Sequence, residues 1–506
     1  MMTTTEDVQY KVIIGMEIHV ELATQSKMFT GAANVAYPGH ANAEPNTLTD
    51  PVVLGMPGVL PVINKRAVEM AMRVGLGLNC EIPGFTKWDR KSYYYPDLPK
   101  NYQISQYDLP LCGEGAVDLP LPDGSLKKIR IIRAHLEEDA GKLLHEGNAD
   151  FSQVDLNRAG TPLLEIVTFP DLTSPEEARL FGEELRRICR YLGVTQGIMQ
   201  QGHMRFEPNI NLHITYKGLV FKTPITEVKN LNSFRAVERA CQYEIQRQLA
   251  QWHAGGQVQQ PMGKFTYGWD DDKGQTVLQR SKEEANDYRY FPDPDLVPLH
   301  VSRQWVEEVR KEVVELPIQR RNRYMKDYGA SAKEAAALVE ERPIAELFES
   351  AIAQGGVPRR VLNLILGAGA KAANEQTSTA GRTVLLSDLP VTAAQYAELA
   401  GLVEGGTISA TASVQVFESL LKEPGANPKA TAEKLGVIQV RDAGATEQWV
   451  DAALAANPKA VDDYKNNPKK KQASLGFLRG AVMKASAGKA DPKMVGELLE
   501  KRLNAG

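Results

Sequence analysis

The chain reads as α+β: a mixed, largely antiparallel β-sheet cradle with helices, followed by helical segments. Three observations carry this. Apolar and polar residues alternate with a period of two in several stretches before residue 295, the repeat of half-buried strands. Strong helix-start signals are interspersed among them, and from about residue 300 onward helical patterns dominate. At 506 residues the chain is too long for one core, so several domains are expected.

The first strand is expected at Val12–Glu21, where Ile14, Met16, Ile18 and Val20 alternate with Gly15, Glu17, His19 and Glu21. One face therefore carries Glu, His and Glu, a set suited to a divalent metal or to proton transfer, though a plain solvent-facing strand shows the same alternation. In Ile129–Asp139 the pattern puts Arg133, His135, Glu137 and Asp139 on one face and Glu138 on the other, unless the strand ends there. In Met204–Leu212, Phe206, Pro208, Ile210 and Leu212 alternate with Arg205, Glu207, Asn209 and Asn211. Thr226–Asn232 repeats the theme with Glu227, Lys229, Asn230 and Asn232. Four such strands describe a sheet closing over a polar chamber, or an antiparallel sheet with one wet face.

Ser174-Pro175-Glu176-Glu177 starts a helix, with Ser as cap and Pro at the first position. Its stripe is Ala178, Phe181, Leu185, Ile188 and Leu192, ended by Gly193. Asn232 or Ser233 caps a second helix with the stripe Phe234, Val237, Cys241, Ile245, Leu249 and Trp252. Both stripes are core. Phe291–Asp295 breaks regular structure and marks a seam. Beyond it, Ser331–Glu334 is a capping box, and Gly405-Gly406-Thr407 is the expected hinge before an Ala- and Lys-rich module. The boundaries expected are 1–295, 296–405 and 406–506.

Composition excludes several classes. A net charge of −4 gives no global nucleic-acid signature, so RNA contacts are expected to be local. No run of about eighteen apolar residues exists for a spanning helix, and MMTTTEDVQY lacks a signal-peptide pattern. Cys80, Cys112, Cys189 and Cys241 are scattered and read as free thiols in a reducing cytoplasm. There is no P-loop, no GxGxxG fingerprint, no cysteine in a nucleophile-like turn and no Ser-Ser-Lys amidase signature. The chain is therefore not expected to hydrolyse glutamine.

The runs GMEIHVEL, RKSYYYPDLPKNYQISQYD, HLEEDAGK, DLNRAGTPLLEIVT, VKNLNSFR and RSKEEANDYRYFPDPDL, with the C-terminal ASLGFLRGAVMKASAGKADPKMVGELL, resemble the B subunit (GatB) of the tRNA-dependent amidotransferases of GatCAB type. The related E subunit has a large extra insertion for which this chain has no room. The resemblance implies a catalytic cradle, a helical domain and a small α-helical YqeY-like tail that binds tRNA. It implies ATP and Mg²⁺ as cofactors, with an amidase (the A subunit) as ammonia source, a small C subunit, and mischarged Glu-tRNA(Gln) or Asp-tRNA(Asn) as substrate. The reaction implied is an ATP-dependent carbon–nitrogen ligation with glutamine as amido donor. A non-catalytic tRNA-binding and assembly subunit is the competing reading; the gathered acids argue against a mere scaffold.

A carboxylate must be activated before ammonia displaces its oxygen, and phosphorylation is chiefly positioning and charge neutralisation. The candidate catalytic residues are accordingly Glu17, His19, Glu137, Glu138 and Asp139, with Glu17, His19, Glu137 and Asp139 as Mg²⁺ ligands. Candidate substrate- and ATP-binding residues are Lys91, Tyr94, Lys142, Arg158, Glu165, Glu207, Lys229, Asp287 and Arg289. Lys469, Lys470, Lys471, Lys484, Lys489 and Lys493 are candidate phosphate contacts in the tail, or a solvated basic surface.

Two departures stand out. Many relatives carry two short cysteine pairs near the N-terminus that hold zinc; Lys27–Gly58 contains no cysteine, so no zinc is expected and Pro51, Pro57 and Pro61 are expected to stiffen the loop. Where relatives commonly read RCDANVS, this chain reads Arg205-Phe206-Glu207-Pro208-Asn209-Ile210-Asn211. Glu there lengthens the arm by one methylene, about an ångström of reach. Neither departure tells which mischarged tRNA is used.

Overall fold

The computed structural model describes residues 8–145, 150–281, 288–380, 383–439, 443–468, 470–486 and 489–504. It divides into two compact units, Met1–Ile318 and Gln319–Gly506.

The first unit opens with β1 (Gln9–Glu21), whose apolar residues Ile14, Met16, Ile18 and Val20 are buried as the period-two pattern requires. Next come α1 (Lys65–Gly77), β2 (Phe85–Thr86), β3 (Asp89–Ser92), β4 (Tyr102–Ser105), β5 (Gly115–Pro120) and β6 (Leu126–Glu138). They are followed by β7 (Lys142–Leu144), β8 (Gln153–Asp155), β9 (Pro162–Thr168), α2 (Pro175–Tyr191), β10 (Met204–Tyr216), β11 (Leu219–Lys222) and β12 (Ile225–Lys229). The unit closes with α3 (Phe234–Ala254), β13 (Lys264–Asp270), β14 (Gln275–Ser281), β15 (Phe291–Pro292), β16 (Leu299–His300) and α4 (Arg303–Arg310).

Among the described residues the main sheet runs β14-β13-β12-β10-β1-β9-β6-β5, with β11 added on β10. Every pairing is antiparallel except β12 with β13, which are parallel and joined through α3, as a crossover demands. A bulge between Ile131 and Arg133 in β6 shifts register by one residue, yet keeps Arg133, His135 and Glu137 on one face.

The apolar face is covered by α1, α2 and α3. Ser174 caps α2 by accepting from the Glu177 amide, and Ser233, not Asn232, caps α3 from the Ala236 amide. At Gly182 a Cβ would meet the Phe234 ring at 3.0 Å, so glycine lets the two helices approach while Phe234 packs edge-on against Phe206. The segment Phe291–Asp295 belongs to the first unit: Phe291 and Pro292 pair with β3, and Arg90 bonds Asp293 and Asp295, each at 2.8 Å.

Polar contacts tie the N-terminal loop together. Asn34 donates to the carbonyls of Leu22 and Thr24 at 2.9 Å, Thr30 donates to the Asp50 carboxylate, and Asp50 accepts from the Val53 amide at 2.9 Å.

The second unit is helical, as the capping signals predict; Ser331 and Glu334 form the expected capping box. Tyr324 packs edge-on against Phe348, and Tyr396 packs at a tilt against Phe417. Gly405–Thr407 is a turn between two packed helices, Ala393–Glu404 and Ala410–Lys422. Beyond it a separate apolar cluster gathers Val450, Tyr464, Leu478, Val482, Val495 and Leu499. Among the described residues no helix is long and apolar enough to cross a membrane.

Candidate active site

The polar face of the main sheet is built in rows. His135, Glu165, His19 and Arg205 stand opposite one another on β6, β9, β1 and β10. One row along, Glu17 faces Glu207, and beyond it Asn209 faces Glu227, which faces Thr266. Strand pairing thus brings together residues that are far apart in sequence, because facing side chains on adjacent strands lie about 5 Å apart.

Glu165 is the hinge of the first row. Its Oε2 lies 3.6 Å from His19 Nε2 and 3.4 Å from His135 Nε2. Burial opposes its charge, but the two imidazoles and Lys91 hold the carboxyl well below the usual range. Burial also opposes a charged His19, yet the Glu165 hydrogen bond and the nearby carboxylates lift it to about 9. His135, with burial dominant, is pushed down to about 4. Glu137, buried beside the row and accepting from Ser105 Oγ at 3.2 Å, is pushed up to about 7 by burial.

Among the described residues three groups have ligand atoms that lie, within each group, no more than 4.8 Å apart: Glu17, His19 and Glu165; His135, Glu137 and Glu165; Glu17, Glu207 and Glu227. The Nδ1 atoms of His19 and His135 are buried with no hydrogen-bond partner among the described residues. Oxygen-rich sets with at most one imidazole each fit Mg²⁺ and accommodate Mn²⁺. Asp139 is committed elsewhere. It receives the Arg205 guanidinium and lies 3.5 Å from Arg158, which overcome its burial and lower it to about 2. Glu21 goes the other way: burial, and then the Asp139 carboxylate, push it up to about 8.

Glu138 points to the opposite face, where it ion-pairs with Lys100 and accepts from the Ile104 amide at 3.0 Å. Lys91 reaches the site side of β3, over the Tyr288 ring at 5.1 Å. Tyr94 is exposed (73 %), whereas its neighbour Tyr93 bonds Gln103 at 3.3 Å. Lys229 bonds Glu207 at the site. Arg289 is exposed and carries a positive φ of 47°. Asp287 and Lys469 lie outside the described residues. Lys470 pairs with Asp463 at 3.3 Å, and Lys471 lies over the Tyr464 ring. On the tail Lys484 and Lys493 are exposed and Lys489 is half-buried.

Beside the rows a cleft of ≈ 590 Å³ is lined by Glu21, Lys142, Arg158, His203, Arg205, Glu207 and Lys229 among others. Sequence reasoning put Glu21 on the face suited to a metal or to proton transfer without carrying it into the candidate set, and placed Arg205 on a polar strand face without a role in the site. It missed Lys264, whose Nζ lies 3.7 Å from Glu17 and 3.4 Å from Glu227. Nothing local in the sequence signals Lys264; it arrives by the parallel pairing of β13 with β12.

Carboxylates and imidazoles on a rigid sheet, with fixed cations and a polar cleft alongside, form a site whose groups suit metal ions and anions, as phosphoryl- and acyl-transfer chemistry requires. Comparison with known proteins makes this particular. Residues 12–307 match the family model described as the GatB/GatE catalytic domain, and residues 346–503 match that of the GatB domain. The chain is 46 % identical over 498 residues to the B subunit of the aspartyl/glutamyl-tRNA(Asn/Gln) amidotransferase of Alkalilimnicola ehrlichii, covering 98 % of this chain and 100 % of the relative. It is 45 % identical over 495 residues to that of Caldicellulosiruptor saccharolyticus (98 % and 99 % covered), and 43 % over 506 residues to that of Thermosynechococcus vestitus (98 % and 97 %). The chain therefore belongs to the GatB family of amidotransferase B subunits.

Proposed function

We propose that this chain is the activating member of a tRNA-dependent amidotransferase. It uses ATP to phosphorylate the side-chain carboxylate of Glu-tRNA(Gln), Asp-tRNA(Asn) or both. It then amidates that carboxylate with ammonia from a partner amidase (the A subunit), within a cytoplasmic complex that includes a small C subunit. The observation that carries the reading is the gathering of Glu17, His19, Glu137 and Glu165 on one sheet face beside a cleft with fixed cations.

Glu17, His19, Glu137 and Glu165 would hold Mg²⁺, which when bound neutralises phosphate charge and orients the phosphoryl group. Asp139 serves instead to fix the Arg205 and Arg158 guanidiniums at the cleft wall. Lys142, Arg158 and Lys229 line the cleft where phosphate or carboxylate oxygens need cations. The rows of β1, β6, β9 and β10 hold these groups rigidly, which is the main contribution a protein makes to phosphoryl transfer. Lysines of the C-terminal tail, Lys484, Lys489 and Lys493 first, would meet tRNA phosphates. We assign the chain three functional parts, a cradle, a helical domain and a tRNA-binding tail.

The test is the assembled heterotrimer supplied with ammonium in place of glutamine, with ADP release followed on mischarged tRNA. Loss of release in Glu137→Ala, with glutamine hydrolysis intact, supports this reading. Unchanged release reduces the chain to a tRNA-binding scaffold, with phosphorylation elsewhere.

A further inference from the structure

At the end of the cleft next to the metal-ligand rows, the structure leaves buried polar atoms without partners. Glu21 Oε1, His203 Nδ1 and Arg205 Nε have no hydrogen-bond partner among the described residues, and all three residues line the cleft. Glu21 is 2 % exposed. Its Oε1 lies 3.9 Å from the nearest Arg205 nitrogen, outside hydrogen-bonding distance, because that guanidinium is turned onto Asp139. Gly202, at φ +81°, lies beside Oε1, and a Cβ there would sit 3.7 Å from it. Buried polar atoms are rarely left unsatisfied, and a ligand, an ion or a water completes those that have no partner within the chain. Whether Glu21 carries a proton on its Asp139 side or not, Oε1 is an acceptor and requires a donor.

We propose that Glu21 receives the free α-ammonium group of the aminoacyl ester, so that the substrate lies along β1 with its side-chain carboxylate at the Glu17–His19–Glu165 cluster.

This deepens the function proposed above and rests on it. Two further features favour an amino-acid group over a nucleotide at this point. Glu21 lies two residues beyond His19 on the same face of β1, about 6.8 Å along the strand. The α-nitrogen and side-chain carboxyl carbon of a dicarboxylic amino acid are three or four bonds apart, about 4–5 Å when extended. With a hydrogen bond at the ammonium end, that span reaches the cluster. The cleft also carries both signs of charge: Glu21, Asp155 and Glu207 against Lys142, Arg158, Lys229 and Arg205, the last with its guanidinium already turned onto Asp139. A triphosphate is matched by an excess of cations, whereas an ammonium and a carboxylate on one small group match a mixed lining.

The experiment uses the reconstituted heterotrimer with saturating ATP and ammonium. It compares Glu-tRNA(Gln) with the same tRNA carrying N-acetylglutamate, for the unaltered chain, Glu21→Met and Glu21→Gln. The unaltered complex should prefer the free amine by about 10- to 100-fold in kcat/KM, the effect of one charge-assisted hydrogen bond. Glu21→Met should erase that preference by slowing the free-amine substrate to the rate of the acetylated one. Glu21→Gln, which keeps a carbonyl acceptor and the side-chain shape, should retain only part of it. A preference that survives undiminished in both variants, or is absent from the unaltered complex, overturns the proposal. So does a rise in KM for ATP with the amine preference unchanged, which makes the donor a nucleotide hydroxyl or amine. If Glu21→Met fails to fold, the glutamine variant decides alone. Absence of any tRNA-dependent ADP release in the unaltered complex is a separate failure, that of the functional reading itself.

Discussion

Glu17 on β1 stands directly opposite Glu207 on β10, and the two carboxylates are kept compatible by lysines from other strands. Lys229 bonds Glu207, and Lys264 lies 3.7 Å from Glu17. Like charges facing each other across a strand pair are otherwise destabilising. Lys229→Met should therefore cost about 1–3 kcal/mol in urea unfolding, the penalty of a part-buried charge left unpaired. Glu207→Gln in the same chain should recover most of the loss. If the single substitution leaves the urea midpoint unchanged, the pair is an incidental contact.

Glu165 joins the two histidines of the first row, so its removal should act on metal use before stability. Glu165→Gln should raise the Mg²⁺ concentration needed for half-maximal ADP release by about 10- to 100-fold, as lost metal-site partners typically do. A Mg²⁺ titration of the assembled complex checks this. A lowered maximal rate with an unshifted Mg²⁺ midpoint would instead make Glu165 a charge-balancing residue only.

Lys27 is fully buried and bonds the Leu156 carbonyl at 3.4 Å; burial lowers it to about 8, against the nearby charges of Asp50, Asp155 and Glu138. With its folded value below the unfolded one, the unfolded chain binds the extra proton between about pH 8 and 10.5. Stability from this group therefore rises with pH across that window, by roughly 3 kcal/mol in full. Below about pH 8 the charged amine carries its whole burial cost. Lys27→Met should remove this rise when urea midpoints are measured from about pH 7.5 to about pH 10. A parallel pH dependence in both chains would rule Lys27 out as its source.

The tail lysines should contribute salt-dependent affinity and no sequence preference. Replacing Lys484, Lys489 and Lys493 together by alanine should raise KM for tRNA several-fold at low salt and flatten its salt dependence by up to about three units of slope. The rate at saturating tRNA should hold. An unchanged salt slope would return these lysines to the solvated surface.

Much of the fold was legible because alternation is a local property. Val12–Glu21 and Met204–Leu212 announce which residues face the core, and the Ser174 and Ser331 caps announce where helices begin. The seam was less legible: Phe291-Pro292-Asp293 looks like a break, but Arg90, about two hundred residues earlier, anchors it inside the first unit. Tyr94 illustrates the limit at the site. An aromatic run gives no register, and it is Tyr93 and Tyr288 that meet Lys91.

The α+β class, the family and the polar strand faces could be read from residue type and short-range period, on which each depends. Which of those polar residues meet one another was set by the fold. Pairing order set Glu165 between His19 and His135, strand alternation turned Glu138 away to Lys100, and Arg205 drew the Asp139 carboxylate onto its own guanidinium. These outcomes depend on distances between strands remote in sequence, and a Coulombic or hydrogen-bonding partnership exists only once folding has set that distance.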